Sequence, residues 1–402
     1  MNKKKYIILT SMGYFPEYGG VENSIRFLSK ELSLEGFRPI VITSQSKKVA
    51  YRKLSLIDGV IVVRFKFRPF SSSFFNILFM PYSIVSLYFI LRRIEKKRNI
   101  VKSINRNQFL TFFSQLVFKN NVYLAPGFSQ YQATPAMLRT SMSRWQRKVT
   151  QFKLSIHQWF DRRALLKSDR VFLFSKNMRE QARDVLGPQA ALVDTFEITK
   201  PGIDSDIFYP ASCAEKLSLR KKLKLPINKK IVLSVGRFVS AKGFEYLAES
   251  AKELANNIVV VIVGDGPERD YLKEKHSDLI QSGKLILPGK SDDTSSFYKA
   301  SDIFVLSSVY EPLGQTLLEA GASGLPIISF RESSCVINAT EEIFSETAFY
   351  VDEVSACSLA EKIEYCLSLT SEEQSEISSS VKSRVLGSCS WRELARDLVD
   401  FN

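Results

Sequence analysis

Glu311 and Glu319 stand eight residues apart in Glu311-Pro312-Leu313-Gly314-Gln315-Thr316-Leu317-Leu318-Glu319-Ala320. Arg237 and Lys242 stand five apart in Gly236-Arg237-Phe238-Val239-Ser240-Ala241-Lys242-Gly243. The chemistry these types support is the holding of a polar, anionic ligand. Pro312 and Gly314 place a helix start around 314–316, where unpaired amides cap a phosphate. An ionised carboxylate accepts two hydroxyl protons, so Glu311 in the loop and Glu319 in the helix suit the hydroxyls of one ligand lying across that helix end. For Glu319 a dipole partner in the first turn is the other reading. Arg237 and Lys242 follow an apolar run and precede a helix pattern. Two cations at the C-terminal edge of an α/β sheet suit a pyrophosphate held without a metal; solvated surface charge is the alternative. A third loop, Gly13-Tyr14-Phe15-Pro16-Glu17-Tyr18-Gly19-Gly20, runs from an apolar segment into a helix pattern. Gly19 and Gly20 let backbone approach a ligand closely, or make a tight turn.

Other chemistries are poorly supplied. The only histidines are His157 and His276, far apart, so no histidine metal site is expected. Five cysteines, an odd number without a CxxC pair, support neither a disulfide framework nor a zinc site and suit a reducing cytoplasm. Neither a metal nor any other cofactor is expected.

The elements that must position these residues alternate between strand and helix. Runs at 6–11, 39–43, 60–65, 122–125 and 171–175 read as strands buried on both faces, with helices at 21–35, 152–167 and 176–186. A second series follows at 231–235, 258–263, 284–287, 302–306 and 325–329, with a helix from 243 carrying Phe244, Leu247, Ala248, Ala251 and Leu254 on one face. At 402 residues the chain suits two domains. The boundary falls in the irregular, proline-containing stretch 200–212. The expectation is α/β, two Rossmann-like sheets, with residues 1–204 plus about 386–402 in the first domain and 205–385 in the second.

Charge divides along the same line. Residues 1–204 hold 34 Lys/Arg and 13 Asp/Glu, a net of +21, whereas the remainder is net −7. Such asymmetry points to an anionic partner for the first domain. Residues 74–91, FFNILFMPYSIVSLYFIL, precede Arg92, Arg93, Lys96, Lys97 and Arg98. Predicted strands of one sheet flank this segment, so a membrane crossing is not expected. Two readings remain for the helix 74–98: a buried layer, or an interfacial helix against an anionic membrane, which the basic balance favours. No base-stacking module is recognisable, so nucleic acid is not an expected partner.

Taken in order, Gly19-Gly20, Pro201-Gly202-Ile203-Asp204, Gly236-Arg237 with Lys242-Gly243, Gly264-Asp265-Gly266-Pro267, Glu311 through Glu319 and the run on to Ile327 resemble the family 4 glycosyltransferases, whose signature is E-x7-E. Ser390-Trp391 resembles that family's terminal segment. The resemblance implies a GT-B fold, with two Rossmann-like domains facing across a deep cleft and a C-terminal helix crossing back to the first. It implies a nucleotide-diphosphate sugar as donor, bound mostly by the second domain, and a glycan or lipid-linked acceptor bound by the first. Transfer would proceed with retention and without a metal, and the basic first domain puts it at the cytoplasmic face of the plasma membrane. By position, Arg237 and Lys242 would bind the diphosphate, Glu319 the ribose and Glu311 the donor sugar. Gly236, Leu313, Gly314, Gln315 and Thr316 would line the donor, and the Gly19-Gly20 loop would close over its phosphates. Asp204-Ser205-Asp206 spells the DxD string of metal-dependent transferases, but it lies in the linker and reads as structural. In three places the chain departs from the family pattern. Pro126-Gly127-Phe128-Ser129 stands where many relatives carry a histidine, Leu313 and Gln315 replace commoner types, and Phe330-Arg331-Glu332 replaces a Gly-Gly pair. A non-catalytic partner subunit, a nucleotide-sugar epimerase and a phosphorylase stay open as alternatives.

Overall fold

The computed structural model describes residues 4–16, 19–45, 53–66, 74–131, 144–333 and 335–400. The chain divides into two compact units: residues 1–130, 142–202 and 390–402 form the first, and residues 131–141 and 203–389 the second.

The first unit is built on β1 (Tyr6–Thr10), β2 (Arg38–Ser44), β3 (Leu54–Ile57), β4 (Val60–Phe65), β5 (Ile100–Asn105), β6 (Asn121–Leu124), β7 (Arg170–Leu173) and β8 (Glu197–Ile198). Their order is β3-β4-β2-β1-β5-β6-β7-β8, and every pair is parallel except the β3–β4 hairpin. Apolar residues on both faces of β1, β2 and β4 are buried, as helix-covered strands require. Three strands escape the sequence patterns, among them the two-residue β8. β3 is an edge strand whose Leu54 and Leu56 face solvent. β5 buries Lys102, Ser103 and Asn105, with Ser103 and Thr10 donating to Asn121 Oδ1 and Asn105 Oδ1 at 2.6 and 2.8 Å.

The helix predicted at 74–98 spans Phe74–Lys97. Side chains 74–83 lie outside the described residues. Farther along, Leu87, Ile90 and Leu91 pack into the core of the first unit, while Val85, Phe89, Arg93, Lys96 and Lys97 are exposed. No helix among the described residues is long and apolar enough to cross a membrane.

The terminal helix Trp391–Val399 belongs to the first unit. Trp391 stacks on Phe27 with ring centroids 5.2 Å apart, and Arg396 pairs with Glu35 at 3.0 Å. A Cβ on Gly202 would lie 2.1 Å from the backbone nitrogen of Trp391, so only glycine admits this approach.

The second unit carries β9 (Lys230–Val235), β10 (Ile258–Val263), β11 (Leu285–Gly289), β12 (Ile303–Leu306), β14 (Ile327–Phe330) and β16 (Phe349–Val351) in a parallel sheet of order β11-β10-β9-β12-β14-β16. A two-stranded accessory pairs β13 (Tyr310–Glu311) with β15 (Ile337–Asn338). Each unit thus has its own doubly wound sheet, the GT-B arrangement of elements.

Candidate functional site

β9 ends at Gly236, and the loop 236–243 returns the chain to the helix Phe244–Ser250. Gly243 takes φ +58, and a Cβ there would meet the Ser307 carbonyl oxygen at 2.0 Å. The loop is stitched to the segment after β12: Ser307 Oγ donates to the Lys242 carbonyl and Val309 N to the Ala241 carbonyl, both at 2.9 Å. This backbone pairing carries Lys242 onto Glu311, to which its Nζ donates.

The stem of Glu311 lies against Gly314, which adopts φ +77 and caps the helix Gln315–Ala322. Left-handed geometry here turns the chain from β13 into the helix and leaves its first amides unoccupied by a capping side chain. Thr316 Oγ1, at that helix start, is buried without a hydrogen-bond partner among the described residues. Leu313 packs against the core, and Gln315 is half-buried.

Glu319, a turn further on, accepts a 2.8 Å hydrogen bond from the Tyr298 hydroxyl. Its carboxyl sits in tightly packed surroundings, and desolvation raises its pKa to about 7, with the Tyr298 bond pulling the other way. Tyr298 itself is fully buried, edge-on to Phe208 at 5.7 Å. Its role is absent from the sequence reading, because nothing in the pattern of residues 295–300 singles out a buried hydroxyl.

The structure therefore brings Gly236, Lys242, Glu311, Gly314, Thr316 and Glu319 to one end of the second sheet, at the carboxyl ends of β9 and β12. Arg237 adjoins Gly236 and its carbonyl accepts from Val239 N at 2.8 Å, but its exposed side chain makes no hydrogen bond or ion pair among the described residues. Gly19 and Gly20 lie in the first unit, where Gly19 precedes the helix Gly20–Leu34 and the Glu22 carboxylate folds back over it. Glu17 and Tyr18 of that loop lie outside the described residues. Asp204 makes a local turn, accepting from Asp206 N at 3.1 Å and, through its carbonyl, from Phe208 N at 2.9 Å. Among the described residues no group of three or more His, Cys, Asp or Glu side chains is placed to hold a metal.

Residues 215–384 match the family model described as glycosyl transferases group 1. The resemblance to family 4 is corrected by this match. The segments from Gly236 to Ile327 that carried it lie inside the matched stretch, so they define a kind of domain and not that narrower family. Fold and match together give the class: two units of the GT-B fold, the second of which matches glycosyl transferases group 1 over residues 215–384.

Among curated relatives, the chain is 44% identical over 112 residues to the lipopolysaccharide core biosynthesis glycosyltransferase LpsE of Rhizobium meliloti, covering 28% of this chain and 33% of that one. The chain thus spans about a third of the length of this relative. Solved structures align over nearly the whole chain. Sucrose-phosphate synthase from Thermosynechococcus elongatus superposes with a TM-score of 0.76 at 18% identity, covering 98% of this chain and 97% of its own. Anabaena HepE in complex with UDP and glucose does so with a TM-score of 0.71 at 16% identity, covering 98% of each. At such identities the likeness is one of fold.

Proposed function

We propose that this protein is a retaining, metal-independent glycosyltransferase that moves a sugar from a nucleotide-diphosphate donor to a glycan or lipid-linked acceptor. The observation that carries the reading is the convergence of Lys242, Glu311, the open end of the helix Gln315–Ala322 and Glu319 at one edge of the second sheet. That edge is where open α/β sheets bind ligands. The match to glycosyl transferases group 1 over the same residues and the UDP held by Anabaena HepE support it.

In the unliganded protein Lys242 and Glu311 neutralise each other. An arriving diphosphate draws the Lys242 ammonium to itself, joined by Arg237 and the amides of Gly314, Gln315 and Thr316, and frees the Glu311 carboxylate for a hydroxyl of the donor sugar. Glu319 takes the ribose diol. As the bond between sugar and phosphate breaks, negative charge grows on the departing diphosphate. Lys242 and Arg237 stabilise that charge as fixed cations. The acceptor oxygen joins the anomeric carbon on the leaving-group face, and its proton passes to the departing phosphate oxygen. The Gly19-Gly20 loop closes over the donor phosphates, and the first unit binds the acceptor.

A membrane-borne acceptor fits the first unit. On the helix Arg144–Lys167 the side chains of Trp145, Phe152 and Trp159 are 73%, 68% and 53% exposed. They are seven residues apart, hence on one stripe. Arg147, Lys148 and Lys153 are exposed around them. Aromatic residues beside cations suit the headgroup region of an anionic leaflet, as does the exposed Val85-Phe89-Arg93 row of the helix Phe74–Lys97. On this reading the protein works peripherally at the inner face of the plasma membrane. Release of nucleoside diphosphate from a panel of sugar nucleotides, in the presence of chelator, tests the whole reading. Release that depends on added acceptor is expected, and a protein that binds donors but never turns them over would be a partner subunit instead.

A further inference from the structure

Arg106 follows β5 immediately, and its backbone amide donates to the Thr10 carbonyl at the end of β1 at 3.0 Å. From β1 the chain winds to one side through β2 and to the other through β5, so this is the point where the strand order reverses. Ligands of open α/β sheets bind at that crevice.

The Arg106 side chain is only 6% exposed, its guanidinium 4.9 Å above the Phe174 ring. Neither Nε nor Nη1 has a hydrogen-bond partner among the described residues. Burial lowers its pKa to about 10, offset in part by Tyr123 and Glu22, so it stays charged. Tyr123, paired in register with Asn105 on the neighbouring strand, is fully buried, and its hydroxyl is likewise without a partner. Beyond it, Asp161 accepts from Ser129 N at 3.0 Å through Oδ2, while its buried Oδ1 is unmatched. A buried cation with two unmatched donors beside a buried phenol with an unmatched hydroxyl has room in its hydrogen bonding for an anion.

We propose that Arg106 and Tyr123 form an oxyanion subsite of the first unit that takes a phosphoryl group carried by the acceptor. The proposal rests on the glycosyl-transfer reading and names its acceptor class. Nε–H, Nη1–H and the Tyr123 hydroxyl are three unmatched donors, and a phosphoryl group offers several acceptor oxygens to such a set. The net charge of +21 over residues 1–204 favours such a ligand over long range. Glu22 acts on Arg106 and Asp161 on Tyr123, and these two acids disfavour a second anion.

The test uses the full chain and titration calorimetry with octyl phosphate and glucose 6-phosphate, with octyl glucoside and glucose as uncharged controls. Nucleoside diphosphates are titrated in parallel. Wild type is expected to bind at least one phosphate ester tenfold or more tightly than its uncharged control. A preference for octyl phosphate identifies a lipid phosphate, and a preference for glucose 6-phosphate a phosphorylated sugar. Arg106→Gln should lose that tenfold, leave nucleoside diphosphate affinity within twofold, and melt no lower than wild type, since an unpaired buried cation is removed. Should that variant fold poorly, Tyr123→Phe, which deletes one oxygen, should weaken the ester by about tenfold, a typical cost of one hydrogen bond to a charged group. Lys242→Ala should show the converse pattern, with the nucleotide lost and the ester kept. Wild-type ester affinity in both Arg106→Gln and Tyr123→Phe, or loss of the nucleotide in place of the ester, overturns the subsite. Failure of the wild type to bind any nucleoside diphosphate strikes the glycosyl-transfer reading instead, and registers separately.

Discussion

At neutral pH the Glu319 carboxyl is close to half-protonated, because burial holds its pKa at about 7 against an ordinary value of 4.5. The sign of the linkage follows. Between those values the unfolded chain has released this proton and the folded one has kept it, so stability falls as pH rises from 4.5 to 7 and is flat above. The full swing is about 3 kcal/mol. Glu319→Gln should therefore melt higher than wild type at pH 8 and equal to it at pH 4, in paired thermal scans. Nucleotide affinity of the wild type should climb with pH through 7 as the carboxylate forms, and that of Glu319→Gln should be weaker and flat. At Lys242 a different balance holds. Lys242→Ala strands Glu311 in a half-buried position, costing about 1–2 kcal/mol once partial exposure is allowed for. Turnover should drop by at least a hundredfold while circular dichroism stays native; wild-type turnover would remove Lys242 from its assigned role.

Elements in this protein are aligned by close backbone approaches more than by long side chains. Gly243 and Gly314 bend the two site loops so that Lys242 and Glu311 face each other, and Gly202 lets the terminal helix lie on the first unit. Trp391 secures that helix by stacking on Phe27 within a face that also buries Leu394 and Leu398. Trp391→Ala should destabilise the first unit by about 3–5 kcal/mol in urea denaturation. Gly202→Ala should do comparable damage through its clash with the Trp391 backbone, and a neutral result would show that the helix can shift. Much of this element scale was readable in advance. The strands 231–235, 258–263 and 302–306 and the helix start at 314–316 lie where apolar runs and a Pro-x-Gly turn put them. β3, β5 and β8 were not, because an edge strand exposes its leucines, two residues are too few for a pattern, and β5 hides its strand character behind polar residues satisfied by neighbours remote in sequence.

For the whole molecule, the separation of charge sets how it meets its surroundings. With a net +21 in residues 1–204 and −7 in the rest, the charge division suits the proposed meeting of the first unit with an anionic leaflet. Trp145→Ala combined with Phe152→Ala should cut sedimentation with vesicles of anionic lipid by about tenfold and leave donor turnover in solution intact. Neutralising Arg92, Arg93, Lys96, Lys97 and Arg98 together should weaken the same binding and flatten its salt dependence. Unchanged sedimentation in both variants would remove the membrane from the proposal.

The sequence by itself determined the two α/β series, the charge division and the identity of the cations and carboxylates, because apolar period, glycine spacing and residue type are local properties of the chain. Tertiary structure decided which of those groups meet. Lys242 reaches Glu311 only through backbone pairing between segments 65 or more residues apart. Tyr298 becomes a partner of Glu319 only when two helices pack, and Arg106 and Tyr123 become a buried, unmatched pair only when β5 and β6 lie side by side. Burial and the lack of a hydrogen-bond partner depend on what surrounds an atom in space, and no reading of neighbours along the chain supplies that.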